Sequence, residues 1–353
     1  MNAAVYHGRR DVRVEVVPEP GDPGAGELLL EVVRASICGT DASEWSHGPI
    51  QIPLARPHPA SGHRGPVVLG HEFVGKVAAA GEGTTGFATG ERVVCGAGVS
   101  CGSCAWCRAG RTNLCSSYYT IGLHAHGGLA QLVRTPAAIC RAVPERCSDD
   151  DAALAQPLAV ALHAVRRSEA QAGDCAAVIG VGGIGAFILA AAATRGLTPL
   201  IAVDVDAARL ETARKLGADV VLDARSSSLA AAIRAASGNE GPDIVIESSG
   251  APQSPAIALE SVRRGGRIVQ VGLQGAPSQI DLFDATIREV DIVATVAHVC
   301  AQDLPEAVTI LETTELGSLV IDRVIPLEAV VEEGLRPLAE RSARGKIVVD
   351  PAV

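Results

Sequence analysis

The sequence predicts an α/β protein of two domains, one mostly β and the other a doubly wound parallel sheet, and three observations carry that prediction. At 353 residues the chain is too long for one compact core. Its first part is a run of short β-prone segments between Gly and Pro residues, the texture of an irregular, mostly antiparallel sheet. Its middle part alternates helix and strand, which implies parallel strands joined by crossover helices. The domains are placed at 1–155, at 156–296, and at 297–353, where the Pro- and Gly-punctuated style resumes and the chain closes back onto the first domain.

In the first domain the β-prone runs include Leu28-Leu29-Leu30-Glu31-Val32-Val33, Val67-Val68-Leu69 and Arg92-Val93-Val94. Helical periodicity then covers Ala152 to Arg167. Ala176 to Ile179 is a buried strand, Ala186 to Arg195 a helix, Leu200 to Val203 a strand and Ala207 to Leu216 a helix. Val220-Val221-Leu222, Ile244-Val245-Ile246 and Ile268-Val269-Gln270-Val271 add further short apolar strands.

Composition excludes several classes of function. Charged residues are 20% and hydrophobic ones 48%, the balance of a globular chain. A net charge of −10 argues against a nucleic-acid partner, because phosphate binding needs concentrated Lys and Arg. Cys175 to Thr194 carries no charge and is long enough to span a bilayer, but Gly180-Val181-Gly182-Gly183-Ile184-Gly185 breaks it. A buried strand, a tight turn and a buried helix account for it without a membrane. The first ten residues lack the apolar stretch of a signal peptide, which points to a cytoplasmic protein.

Gly180-x-Gly182-x-x-Gly185 follows an apolar strand and opens an Ala-rich helix. Such glycines allow a tight turn, backbone approach to a pyrophosphate and close helix packing, and the free N–H groups at the helix start favour an anion. Gly180, Gly182, Gly183, Ile184 and Gly185 are therefore candidate dinucleotide contacts. Asp204, ending the next strand, suits ribose hydroxyls and repels a 2′-phosphate, favouring NAD; its competing role is to cap the helix that starts near Asp206. Arg209 leaves room for NADP. Ser249, Val271, Gly272 and Leu273, at later strand ends, are either cofactor contacts or ordinary strand-to-loop residues.

Four of the ten cysteines crowd into Cys101-x-x-Cys104-x-x-Cys107-x7-Cys115. Four thiolates at that spacing wrap one tetrahedral zinc, and a closed all-protein shell makes the site structural. An iron–sulfur run needs its fourth Cys sooner and followed by Pro, whereas Ser116 follows Cys115. Cys38-Gly39-Thr40-Asp41 and Gly70-His71-Glu72 supply a second thiol and an imidazole of the type that ligates catalytic zinc.

In this order, together with Gln156-Pro157-Leu158-Ala159-Val160-Ala161-Leu162-His163, these motifs resemble the zinc-containing medium-chain dehydrogenases over essentially the whole chain. Gly48-Pro49-Ile50, Pro57-His58-Pro59 and Gly62-His63-Arg64-Gly65-Pro66 look like the branch that interconverts 2,3-butanediol and acetoin, beside the sorbitol-type enzymes. The resemblance implies a GroES-like catalytic domain and a Rossmann domain, and an assembly of two or four identical chains. It implies a catalytic zinc on Cys38 and His71, with Glu72 ligating directly or through water. It implies that Thr40 bonds the substrate oxygen and starts a proton relay, and that a secondary alcohol or vicinal diol gives hydride to NAD.

Two positions depart from the branch. Where its members carry a ligating Glu before Pro-Leu, this chain has Gln156, a neutral and weaker oxygen ligand. Where a relay His often stands, it has Ser43, leaving Glu44, His47 or water to carry the proton. The alternatives are a polyol or cyclitol dehydrogenase, or a chain that binds NAD without turnover and serves as a sensor or scaffold.

Overall fold

The computed structural model describes residues 1–352 and divides into two compact units, Met1–Ala159 with His298–Val353, and Val160–Ala297. In the first, β1 (Asn2–Gly8), β2 (Asp11–Val16) and β3 (Glu27–Ser36) precede the helix α1 (Gly39–His47), and β4 (Val67–Val68), β5 (Glu72–Ala80) and β6 (Arg92–Cys95) follow it. β1 is flanked by β2 and β4 in a small antiparallel sheet. A seven-stranded sheet has β3 near its centre, with β5 antiparallel on one side and the strand Lys346–Asp350 antiparallel on the other. This register sets Ser36 opposite both Glu72 and Val348, so three segments distant in sequence end side by side. The Val- and Leu-rich alternation of β3 buries Leu28, Leu30 and Val32 on one face, as a half-buried strand requires.

The second unit is a Rossmann-like sheet of six parallel strands. Their spatial order is Val220–Asp223, Leu200–Asp204, Ala176–Ile179, Ile244–Glu247, Arg267–Gln270 and Asp291–Ala294. Chain order reverses between Ala176–Ile179 and Ile244–Glu247, the switch point at which open α/β sheets take ligands. The uncharged run from Cys175 resolves into the strand Ala176–Ile179 and the helix Gly183–Thr194, buried from Gly185 to Ala192. Burial on all sides explains why neither needs a polar face. Among the described residues no helix is long and apolar enough to cross a membrane.

Candidate functional site

Three sequence-distant segments converge at one end of the seven-stranded sheet. Cys38 is the N-cap of α1, and His71 and Glu72 lie where the chain enters β5. One ligand-type atom from each of Cys38, His71 and Glu72 lies within 4.8 Å of the others. A thiol, an imidazole and a carboxylate so gathered are the donor types zinc takes in catalytic sites.

Neighbouring groups hold these three in place. Asp41 accepts from the Cys38 backbone N–H at 2.9 Å, the capping bond of α1, and its other oxygen is 3.5 Å from His71 Nδ1. Among the described residues neither His71 Nδ1 nor Asp41 Oδ1 has another hydrogen-bond partner, although both are buried. A ligating imidazole typically turns its second nitrogen towards such a carboxylate, so this geometry fits a metal-holding His71. Burial pushes the His71 imidazole down, but Asp41 and Cys38 outweigh it and hold its pKa well above the usual range. Glu72 is only 1% exposed, and one of its oxygens receives both the Ser36 hydroxyl and the Lys346 ammonium. Lys346 Nζ also donates to Ile37 O at 3.0 Å. Thr40 Oγ1 lies 3.6 Å from Cys38 Sγ, within the same turn of α1. Gln156 is half-buried in the first turn of the helix Ala155–Arg167, and Ala153, just before that helix, accepts from Ser36 Oγ at 3.3 Å.

His71 owes its position to close backbone packing. Gly70 has φ +99, and a Cβ there would meet Leu129 N at 2.5 Å. Gly122 and Gly127 could not carry a Cβ either, since each would come within about 2.3 Å of Gly70 O. Gly128 N and Leu129 N donate to Gly70 O and Leu69 O at 2.9 and 2.8 Å.

The four sulfurs of Cys101, Cys104, Cys107 and Cys115 also lie within 4.8 Å of one another. Backbone N–H groups point at them: Cys104 N to Cys101 Sγ, and Cys101 N and Ser117 N to Cys115 Sγ, each at 3.3 Å. Backbone donors from Ser103 lower the Cys101 thiol to about 7, and those from Cys107 lower the Cys104 thiol to about 6. Burial first, then its thiol neighbours, pushes Cys107 up to about 11, a crowding of negative charge that a bound cation relieves. The donor set fits a closed structural zinc.

In the second unit, Gly180 (φ +87) abuts Ser249, and Gly185 could carry no Cβ because Gly180 O would be 1.8 Å away. Gly182 is the N-cap of the helix that Gly183, Ile184 and Gly185 open, and nothing lies within 4 Å of a Cβ built at Gly183. These are the backbone conditions for an anion at a helix N-terminus. Asp204 is buried and accepts from Val181 N at 2.9 Å and Asp206 N at 3.0 Å, while Asp206, not Asp204, caps the next helix. Arg209 Nη1 lies 3.9 Å from Asp204 and 3.0 Å from a Cβ built at Gly182, across the glycine turn. Ser249, Gly250, Val271 and Gly272 all donate to Glu247, which is fully buried at the end of its strand, while Leu273 is exposed.

No sequence motif marks Asp41, Ser36, Lys346 or Glu247 with a role. Asp41 carries only a capping signal, a carboxylate three residues after an N-cap. Glu44 has one carboxylate oxygen on Ile50 N and the other on Gln51 N. His298 is buried, with Nε2 2.9 Å from Gly96 O.

The sequence pattern of the alcohol dehydrogenase GroES-like domain matches residues 24–145, and that of the zinc-binding dehydrogenase matches residues 183–313. The chain is 32% identical to the (R,R)-butanediol dehydrogenase of Bacillus subtilis, covering 99% of this chain and 100% of that protein. It is 32% identical to human sorbitol dehydrogenase over 93% of this chain and 90% of that protein. Among solved structures, the 2R,3R-butanediol dehydrogenase of Bacillus subtilis superposes with a TM-score of 0.91 at 30% identity, covering 99% of each chain. A zinc-binding dehydrogenase of Sinorhizobium meliloti, solved with NADP, superposes with a TM-score of 0.88 at 28% identity, again over 99% of each chain.

Proposed function

The chain belongs to the zinc-dependent medium-chain alcohol dehydrogenases, and from that premise we propose that it oxidises a vicinal diol of the 2,3-butanediol type to the hydroxyketone with NAD, and runs the reverse reaction. The observation that carries this reading is the convergence of Cys38, His71 and Glu72 in a chain that also has a dinucleotide turn ending at Gly185.

Cys38 and His71 would hold the catalytic zinc, with Glu72 or Gln156 completing the set, and Cys101, Cys104, Cys107 and Cys115 the structural one. Zinc supplies Lewis acidity that brings an alcohol's proton loss towards neutral pH, as it does for water, from about 16 to about 7. NAD supplies the hydride acceptor. Asp41 orients His71 and fixes the Cys38 turn. Ser36 and Lys346 hold one oxygen of Glu72. Thr40, beside the Cys38 sulfur, would bond the substrate oxygen and take its proton. The amides at Gly182 and Gly183 would face the pyrophosphate, Asp204 the ribose hydroxyls, and Ser249, Val271, Gly272 and Leu273 the rest of the cofactor. Arg209, lying over the glycine turn, is the residue through which a 2′-phosphate would be tolerated.

The likeness to human sorbitol dehydrogenase supports a second reading, a polyol or cyclitol substrate. NADH absorbance with 2,3-butanediol isomers, sorbitol and inositol, combined with metal analysis, separates the two. The expected result is fastest turnover on one butanediol isomer with an ion at each cluster. A polyol preference overturns the substrate assignment, and full activity with the Cys38–His71 site empty overturns the mechanism.

The assembly proposed is a homodimer through the sheet edge Asp291–Ala294. Among the described residues that strand pairs on one side only, with Arg267–Gln270, and Ile292 on it and Val296 just past it are exposed. Unpaired edges with apolar side chains are templates for a second strand.

A further inference from the structure

Deepening the dehydrogenase reading, on which it rests, we propose that His47 is the terminal proton acceptor of the reaction, reached from Thr40 along the solvent face of α1. Asp41, Ala42, Glu44, Trp45 and Ser46 form the buried side of that helix, whereas Ser43 and His47 are exposed and Thr40 is half-buried. At about 100° per residue, Thr40, Ser43 and His47 fall within an arc of about 60°, and the track from first to last is about 10 Å long. It leads from beside the Cys38 sulfur to solvent.

The titratable side chains of α1 are Asp41, Glu44 and His47, and of these His47 alone is exposed, Asp41 being turned to His71. Glu44 is fully buried with its oxygens engaged by Ile50 N and Gln51 N. Tyr6, whose hydroxyl donates to Glu44 O at 3.2 Å, is driven up to about 12 by burial and then by the Glu44 charge. Arg9 Nε donates to Ser46 O at 2.9 Å, and Arg10 and Arg336 lie over the Trp45 ring, Arg336 being paired with Glu332.

A hydrogen-bond count fixes which imidazole nitrogen is free. Ser46 Oγ lies 2.7 Å from Ala42 O and 2.8 Å from His47 Nδ1. A carbonyl oxygen cannot donate, so the single hydroxyl hydrogen must sit between Ser46 and Ala42. Ser46 therefore accepts from His47, and Nδ1 carries the hydrogen. The lone pair is on Nε2, the nitrogen that can accept a proton. In the forward direction the alcohol O–H breaks and its proton goes to Thr40 Oγ1. The Thr40 proton moves on through Ser43 and water to Nε2, giving an imidazolium that discharges to solvent, while the hydride leaves separately to the nicotinamide.

The test combines spectroscopy with kinetics. In the parent holoenzyme labelled with ¹⁵N-histidine, His47 should show a protonated Nδ1 and a lone-pair Nε2, and Ser46→Ala should release that tautomer preference. His47→Gln should lower kcat for alcohol oxidation about tenfold at pH 6–7, a modest share of what positioned acid–base groups contribute, and lose less at high pH. Added imidazole buffer should restore the rate, while NADH affinity stays unchanged. A lone-pair Nδ1 in the parent overturns the assignment, as does a His47→Gln pH profile that matches the parent and ignores buffer. A parent that oxidises no alcohol of the panel overturns the dehydrogenase reading and the relay with it. A parent that turns over but is indifferent to His47 overturns the relay alone.

Discussion

Replacing Lys346 with Met removes the positive partner of a carboxylate that has no access to water. Glu72 is 1% exposed and Lys346 7%, and the ammonium meets Glu72 and Ile37 O together. Breaking a buried ion pair from one side costs about 3–5 kcal/mol, because the remaining charge is left uncompensated. At roughly 2 °C per kcal/mol for a large chain, the melting temperature of the metal-free protein should fall by about 6–10 °C. Lys346→Met/Glu72→Gln should recover most of that loss, because no charge is then stranded. Zinc should also rescue the single variant, since a cation beside Cys38 and His71 gives Glu72 another positive partner. Calorimetry with and without zinc measures all three. Burial alone would lower the Lys346 pKa, but Glu72 and then Cys38 outweigh it and hold it above 10.5. A raised lysine contributes its stability in full below 10.5 and loses it as pH climbs through the folded value, so the gap between parent and variant should be constant near neutrality and narrow only in alkali. A single variant within about 0.5 kcal/mol of the parent, the range of an ordinary surface change, would refute the reasoning, as would a double variant no better than the single one.

Gln156→Glu should slow zinc loss to a chelator from the catalytic site without altering the four-cysteine site, measured by metal release, because a carboxylate is a stronger ligand than an amide. Asp204→Ala should weaken NADH binding about 10- to 150-fold by fluorescence titration, matching the loss of charge-assisted bonds of about 1.5–3 kcal/mol. His124 stacks on His58 at 4.3 Å and accepts from Thr120 N through Nδ1, and burial, then His58, lowers its pKa to about 4. A depressed histidine contributes stability above its ordinary 6.5 and loses it as pH falls towards 4, so urea midpoints should drop across that window in the parent and less in His124→Gln. Ile292→Lys should shift sedimentation from dimer to monomer if the edge strand Asp291–Ala294 is the interface.

Local chemistry was legible in the sequence wherever it depends on local spacing. The glycine turn opening at Gly180, the strand before it and the helix after it follow from residues a few positions apart, as does the four-cysteine loop. The groups around Glu72 were not legible, because register puts them there: Ser36 and Lys346 reach it from strands paired across the sheet, with no shared motif. Lys346 opens an apolar strand, Ile347-Val348-Val349, and in one dimension such a lysine reads as a solvated strand end. Glu247 was hidden inside a run that reads as another apolar strand, although its carboxylate organises the turn after it.

The interlocking of Gly70 with Gly122, Gly127 and Gly128 divides the ligand set into a fixed part and an adjustable part. His71 rides on main chain meeting main chain, where no methyl group fits and drift has no room. Cys38 and Thr40 ride on α1, which runs out into a loop whose Pro49, Ile50 and Gln51 are exposed. Variation that retunes the choice of alcohol can therefore accumulate on that loop while the imidazole stays in place, and a library meant to shift specificity should leave the four glycines untouched.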